Sequence, residues 1–300
     1  FDLQGHRGAR GLAPENTLAG FERALEIGVT TLEMDAAVTR DGVVVVSHDP
    51  ALNPAITRDA SGRWLAARGA TIHTLTLAEL QGYDVGRIDP ASSYARQFPD
   101  QVARDGEGIP TLAAVFARVK ALGADKVRFD IETKIDPRRP HETLAPEPFV
   151  KALLAEIAAA GMTGRVMIQS FDWRTLEIVQ RLAPGMPTVY LTARGSRFDT
   201  LADGSWTGGR LLKDYAGVPQ MVKAAGGTIW APNHRDIGER DVADAHALGL
   251  QVIPWTVNDV PDAERLIGWG VDGLISDRPD RMREAMQRRG IALPAPLAPR

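Results

Sequence analysis

The architecture of this chain can be worked out from residues 31–50, TLEMDAAVTRDGVVVVSHDP. Its first part, Thr31 to Ala36, alternates apolar and acidic residues with the period of two that a strand imposes. Leu32, Met34 and Ala36 fall on one face, and Glu33 and Asp35 fall together on the other. The turn signal Thr39-Arg40-Asp41-Gly42 follows, and then four valines, so Val43 to Ser47 is expected to return as a hairpin partner.

Similar short β-type runs recur on both sides, each followed by a helical pattern. The candidates are Asp2 to Gly5, Val127 to Thr133, Val166 to Ser170, Thr188 to Leu191, Thr228 to Trp230, Val252 to Thr256 and Gly273 to Ser276. Between them lie apolar stripes with helix punctuation. Asn16 or Thr17 can cap Leu18, Phe21 and Leu25 before Gly28, and Leu112, Val115, Phe116 and Val119 form a face ending at Gly123. Alternation of this kind builds a parallel sheet with crossover helices. Counting Val43 to Ser47 as an extra strand leaves eight, which predicts an α/β fold of the TIM type, a (β/α)8 barrel over residues 1–300 in a single catalytic domain. Residues 51–110, rich in Gly, Asp and Ser, are too long for a connection and read as an insertion beside the site that helps choose the substrate. A second long loop is expected from Arg194 to Gly217, with Trp206 and Tyr215 available to a ligand, and a loose tail from Pro294.

Composition narrows the function. Of 300 residues, 44% are apolar and 24% charged, which is ordinary for a chain that buries a core. A formal net charge of -3 gives no basic field, so no nucleic-acid partner is expected. The longest apolar runs fall short of a bilayer crossing, so no integral membrane segment is expected either. There is no cysteine, so any metal must be held by oxygen or imidazole. The cysteine-free composition and a start at Phe1 in place of a methionine point to a periplasmic or secreted protein, with a cytoplasmic one as the alternative.

Three clusters carry chemistry. Gly5-His6-Arg7-Gly8 stands where the first strand gives way to a loop, the end of a barrel strand at which active sites form. Arg7 offers a planar fork to phosphate oxygens. Glu15 and Asn16, just before a helix, either cap it or join the site. The pair Glu33 and Asp35 finds an echo in Asp130, Glu132 and Lys134 on a distant strand, whose Phe129 and Ile131 face the helices. Unpaired charge inside a barrel is costly enough that a hard divalent cation is the better account of so many inward carboxylates. In Ser47-His48-Asp49-Pro50 a second histidine arrives beside them, so that one imidazole can accept a proton while another donates one. Asp49 either orients His48 or caps the turn. His73, His141, His234 and His246 lack comparable company and read as structural.

Taken together, His6-Arg7-Gly8, Pro14-Glu15-Asn16-Thr17, Glu33-Met34-Asp35, the Thr39-Arg40-Asp41-Gly42 turn and His48-Asp49 resemble the N-terminal signature of the glycerophosphodiester phosphodiesterase family. The resemblance continues through Ile131-Glu132-Thr133-Lys134, Gln169-Ser170-Phe171, Trp255-Thr256-Val257-Asn258 and Gly273-Leu274-Ile275-Ser276-Asp277. It implies a barrel like that of phosphatidylinositol phospholipase C. One divalent cation, Mg2+ or Ca2+, would be held by Glu33, Asp35 and Glu132, and substrate would be met by Arg7, Lys134, Glu15, Asn16, Gln169 and Trp255. It further implies hydrolysis of a small glycerophosphodiester to sn-glycerol 3-phosphate and an alcohol, with His6 and His48 as acid and base and a cyclic phosphate on the way. A phospholipase D-like or sphingomyelinase D-like lipid enzyme is the alternative and would show an exposed apolar rim. A barrel that only binds phosphodiesters would not need two histidines beside a cation site.

Overall fold

A computed structural model describes residues 1–196 and 198–298. Along the chain run β1 (Asp2–Gly5), α1 (Leu18–Ile27), β2 (Thr31–Val38), β3 (Val44–Val46), the short α2 (Leu77–Leu80), α3 (Leu112–Ala121), β4 (Arg128–Thr133), α4 (Pro146–Ala159), β5 (Val166–Ser170), α5 (Trp173–Leu182) and β6 (Thr188–Thr192). After the two-residue strands β7 (Arg194–Gly195) and β8 (Phe198–Asp199) come α6 (Val218–Ala224), β9 (Ile229–Pro232), α7 (Glu239–Ala247), β10 (Gln251–Val252), α8 (Val260–Gly268), β11 (Gly273–Ser276) and α9 (Pro279–Arg288).

Among the described residues eight strands lie parallel in the order β10-β9-β6-β5-β4-β2-β1-β11. The ends meet through backbone hydrogen bonds from Asp272 N to Val252 O at 2.9 Å and from Ile275 N to Pro254 O at 3.0 Å. This is the TIM-type barrel expected from the alternation. β3 is the extra strand, antiparallel to β2 with Ala36 opposite Val46. Of the expected strand from Val252 to Thr256, only Val252 lies in a ladder, which starts one residue earlier at Gln251. Pro254 has no N–H to contribute, which explains the early stop, although Trp255 N still donates to Pro232 O at 3.0 Å.

The alternation within β2 and β4 divides core from site. Leu32, Met34, Phe129 and Ile131 point outward and are fully buried under the helices. Phe129 meets Phe116 of α3 edge to face, with ring centroids 4.9 Å apart. Inside the barrel, β1, β2 and β4 supply Gln4, Glu33, Asp35, Asp130 and Glu132, all buried. The facing strands supply Met167, Val189, Leu191, Ile229, Ala231, Ile253 and Ile275 as a separate apolar cluster. One half of the interior is therefore polar and the other dry. Gly8, at φ 88°, lets the loop after β1 pass against α1, where a Cβ would come within 2.5 Å of the Gly20 carbonyl carbon.

Two expectations about the long segments change. Residues 51–110 do not hang loosely beside the barrel. Leu52, Ile72, Leu80, Val85 and Ile109 close over Ala37 and Val45 of the hairpin as a second small core, and α2 is fastened by a capping box between Thr76 and Glu79. The C-terminal tail is docked rather than loose as far as it is described. Leu297 N donates to Leu25 O at 2.9 Å, and Arg283 Nη1 donates to Pro294 O at 2.6 Å. No helix among the described residues is long and apolar enough to cross a membrane.

Truncating Phe129 to Ala removes the ring that joins β4 to α3 and should cost about 3–5 kcal/mol of folding stability. Urea denaturation monitored by tryptophan fluorescence measures this. A loss of less than about 1 kcal/mol would mean that the β4–α3 contact is not part of the cooperative core.

Candidate active site

The C-terminal ends of the strands open on a cavity of about 430 Å3. Its polar side is assembled from β1, β2 and β4. Register places Glu33 opposite Asp130 and Asp35 opposite Glu132, and the three acids nearest the mouth, Glu33, Asp35 and Glu132, bring one oxygen each within 4.8 Å of one another. Asp130 lies apart from this group. Its two oxygens have no hydrogen-bond partner, and burial, then the charge of Asp2, drive its carboxyl well above the usual range, so it holds a proton.

The triad is compensated only in part. Lys134 Nζ lies 3.0 Å from Glu132 Oε1 and 3.6 Å from Asp35 Oδ1, and Arg7 Nε lies 3.4 Å from Asp35 Oδ2. Gln169 Nε2 donates to Glu33 Oε1 at 2.6 Å, and the Arg7 backbone N–H donates to Glu33 Oε2 at 2.7 Å. Asp35 Oδ1 accepts no hydrogen bond. Burial, together with the neighbouring Asp35, pushes Glu33 well above the ordinary carboxylate range, and burial raises Glu132 to about 7 against the pull of Lys134. Burial also opposes ionisation of Asp35, but Lys134, His48 and Arg7 outweigh it and hold that carboxylate ionised. Three converging oxygens, one of them orphaned and two retaining protons, suit a hard divalent cation.

Both histidines reach the same cavity. His6 follows β1, and its Nδ1 lies 2.6 Å from Asp277 Oδ1 while its Nε2 lies 3.9 Å from Glu33 Oε2. His48 follows β3 and repeats the arrangement, with Nδ1 2.9 Å from Asp49 Oδ1. Asp49 is held in turn by Asn53 Nδ2 at 2.7 Å, so it orients the ring and is not merely a turn cap. A carboxylate at Nδ1 makes that nitrogen the N–H and leaves Nε2 as the reactive one. Burial lowers His6 to about 4 and also lowers His48, so both imidazoles are neutral at neutral pH before substrate arrives.

Four expected substrate contacts, Arg7, Lys134, Gln169 and Trp255, line the cavity. Glu15 and Asn16 do not. Glu15 accepts from Arg7 Nη1 at 2.8 Å, and Asn16 Nδ2 donates to Asp35 Oδ2 at 2.8 Å, so Glu15 fixes a group that faces the cavity and Asn16 fixes a member of the acid triad. The cap of α1 is Thr17, whose hydroxyl accepts from Gly20 N at 3.0 Å. Arg7 and Asn16 adopt left-handed backbone at φ 51° and 54°, conformations uncommon for side-chain-bearing residues and sustained here by those bonds. Of the two expected contacts between Arg194 and Gly217, Trp206 lines the cavity and Tyr215 packs on the main core. No residue between 51 and 110 lines it, so the insertion does not face the ligand space.

Sequence reasoning missed the groups behind His6. Asp277 receives Arg10 through Nε at 2.8 Å and Nη2 at 3.1 Å, and Asn258 Nδ2 at 2.8 Å. Despite burial, His6 and Arg10 hold its carboxylate far below the usual range. Tyr94, from the insertion, donates to Glu15 and accepts from Arg10 Nη1 at 3.2 Å. Asp277 closes the motif Gly273 to Asp277 and could have been read as a partner for a histidine. Nothing local marks Arg10 or Tyr94.

Fold and site define a TIM-barrel enzyme with its polar centre at the strand ends. The model of the glycerophosphoryl diester phosphodiesterase family matches residues 6–281. A Bacillus subtilis protein provisionally named a glycerophosphodiester phosphodiesterase is 30% identical over 92% of this chain and 93% of its own. A glycerophosphodiester phosphodiesterase of Caldanaerobacter subterraneus is 28% identical over 95% and 97%. A crystal structure from Silicibacter pomeroyi, assigned by name to the same family, superposes with a TM-score of 0.87 at 37% identity over 97% of this chain and 94% of that one. The chain belongs to the glycerophosphoryl diester phosphodiesterase family and is a hydrolase of that class.

Because Glu33 and Glu132 carry raised pKa values, a divalent cation competes with protons for them, and its affinity should rise with pH through about 7, where Glu132 titrates. Calorimetry with Mg2+ or Ca2+ should show binding about tenfold tighter per pH unit for each proton released. Affinity flat with pH, without proton release into the buffer, would mean the triad is not where the ion sits.

Proposed function

We propose that this enzyme hydrolyses glycerophosphodiesters to sn-glycerol 3-phosphate and an alcohol, with His6 and His48 handling protons and Glu33, Asp35 and Glu132 holding one Mg2+ or Ca2+. The observation that carries this reading is the placement of two imidazoles, each held at Nδ1 by a carboxylate, on the cavity that Glu33 and Glu132 of the acid triad line. A bound divalent cation supplies positive charge against the phosphoryl oxygens.

The chain's own groups do the rest. Arg7 and Lys134 face the cavity as cations and fix the orientation of the phosphodiester anion. One neutral imidazole takes the proton from the glycerol 2-hydroxyl as that oxygen bonds to phosphorus. The other, which gains a proton as the anionic substrate enters, gives it to the alcohol oxygen as its bond to phosphorus breaks. The resulting cyclic phosphate is opened by water with the two proton transfers reversed. Asp277 and Asp49 hold the rings and stabilise their charged forms while each carries a proton.

The lipid-enzyme alternative called for an apolar rim. The exposed large apolar residues among those described are Phe1, Val102, Leu182 and Leu293, and none lines the cavity. This favours a small soluble substrate. Two histidines with oriented rings are likewise more than a non-catalytic binder needs.

His6→Ala and His48→Ala should each lower kcat at least ~100-fold on a panel of glycerophosphodiesters, with product measured as sn-glycerol 3-phosphate, and chelator should abolish turnover in the parent enzyme. Asp277→Asn, which keeps the shape of the side chain but favours the wrong tautomer of His6, should lower kcat by a similar factor with little change in KM. Near-normal rates in either alanine variant remove that histidine from the mechanism.

A further inference from the structure

The cavity has two chemically distinct walls, and the proton and phosphate chemistry uses only one. Opposite the triad stand four rings, Phe171, Phe198, Trp206 and Trp255. They form a cluster centred on Phe171, whose centroid lies 5.1 Å from Phe198, 6.2 Å from Trp206 and 5.3 Å from Trp255, all edge to face. Leu191 and Ile275 from the dry half of the barrel extend the wall. Phe171 and Trp255 come from barrel strand ends, whereas Phe198 and Trp206 come from the segment between β6 and α6. That segment is thus the long connection that shapes the ligand space. Trp206 is anchored, since it is 5% exposed and its carbonyl accepts from Trp173 N at 2.8 Å.

Resting on the phosphodiesterase reading above, we infer that this aromatic wall is a specificity subsite for an ester substituent that is uncharged and carries apolar surface, such as a small alkyl or aryl alcohol, and that it disfavours the cationic choline and ethanolamine groups. Charge decides between these. Aromatic faces do attract cations, but here the protein's own cations already occupy the cluster. The Arg138 guanidinium lies 5.0 Å from the Trp206 ring centre and 6.0 Å from that of Phe198, and Lys134 Nζ lies 5.9 Å from that of Phe171. The ring faces an incoming ammonium would use are therefore already engaged by cations of the protein. Nor does it find a free anion. Outside the triad the carboxylates lining the cavity are Asp49 and Asp136. Asp49 is engaged by His48 and Asn53, and Asp136 is gripped by Arg138 through Nε at 3.0 Å and Nη2 at 2.9 Å. An uncharged apolar group meets no such opposition and gains by leaving water. The cavity, at about 430 Å3, lies within the range of small-molecule sites and has room for such a group beside the glycerophosphoryl unit.

The test is kcat/KM of the full chain, loaded with divalent cation, on four esters that share the glycerophosphoryl half and carry choline, ethanolamine, n-butyl or benzyl alcohol. The butyl and benzyl esters should exceed the two cationic ones by at least about tenfold, the scale on which an apolar pocket discriminates. Phe198→Ala should erase most of that preference by lowering the butyl and benzyl values at least about tenfold more than the cationic ones, and Phe198→Leu should restore much of it. Circular dichroism of each variant checks that the fold is retained, and Trp206→Phe, which keeps a ring at the anchored position, gives an independent reading. A choline or ethanolamine ester as the best substrate overturns the inference, as does an equal loss on all four esters in Phe198→Ala. If the parent enzyme turns over none of the four, the phosphodiesterase reading is what fails. The subsite is then judged by calorimetric binding of the same esters, with the same order of preference required.

Discussion

Placing several carboxylates inside a barrel, where water cannot solvate them, is the constraint from which the rest of this molecule follows. Glu33, Asp35 and Glu132 are at most 6% exposed. Only Lys134 and Arg7 lie close enough to offset them directly. Left like this, the group holds Asp35 ionised while burial pushes Glu33 and Glu132 above the ordinary carboxylate range, a conflict that suits a divalent cation. The surrounding hydrogen bonds make sense in that light. Gln169 and the Arg7 N–H hold Glu33, Asn16 holds Asp35, and Glu15 holds Arg7, so two of the three acids and the Arg7 counter-charge have their rotamers fixed by a further residue.

The barrel tolerates this because the polar load is confined to one side. β1, β2 and β4 are neighbours in the sheet, and their inward residues form a continuous polar sector, while the strands from β5 round to β11 present a dry face. Spread around the ring, the same acids would have left no apolar interior to hold the strands together. Gathered on three strands, they leave the other five to pack as an ordinary core and to carry an aromatic wall up to the mouth. The boundary between the sectors passes through β5, where Met167 belongs to the dry cluster and Gln169, two residues on, bonds to Glu33.

Much of this was legible in the sequence, because period two in Thr31 to Ala36 and in Phe129 to Thr133 separates wall from interior without any knowledge of the partner strands. The hairpin is read from the Thr39–Gly42 turn and the choice of Glu33, Asp35 and Glu132 as ion ligands comes from the family resemblance, whereas the inward acids follow from that separation. Register is what it cannot supply. Asp130 shares a face with Glu132, yet pairs with Glu33 one level deeper and lies apart from the triad. Asp277 and Arg10 become a unit with His6 only because β11 closes the ring beside β1, a contact made across almost the whole length of the chain. Glu15 and Asn16 illustrate the opposite failure: their proximity to the site was read correctly, but a polar side chain next to a site can face the ligand or support a residue that does, and composition does not distinguish the two.

The two long connections divide the remaining labour according to where they leave the barrel. Residues 51–110 depart from the hairpin strand β3, whose outer face offers Val45 as a seed, so the segment folds down over that face as its own small core. From there it reaches the site through Tyr94, whose hydroxyl joins Glu15 to Arg10, and through Asn53, which holds Asp49 beside His48. The segment after β6 departs from the dry side, and at that rim the exposed ends of the strands are apolar. Burying them requires rings rather than charges, and Phe198 and Trp206 provide them against Phe171. The same contact that shields the rim also faces the cavity, so the residues that finish the fold on that side also line the ligand space. The β6–α6 segment thus shapes the pocket, and the longer insertion bears on it by holding in place the groups behind His6, Arg7 and His48.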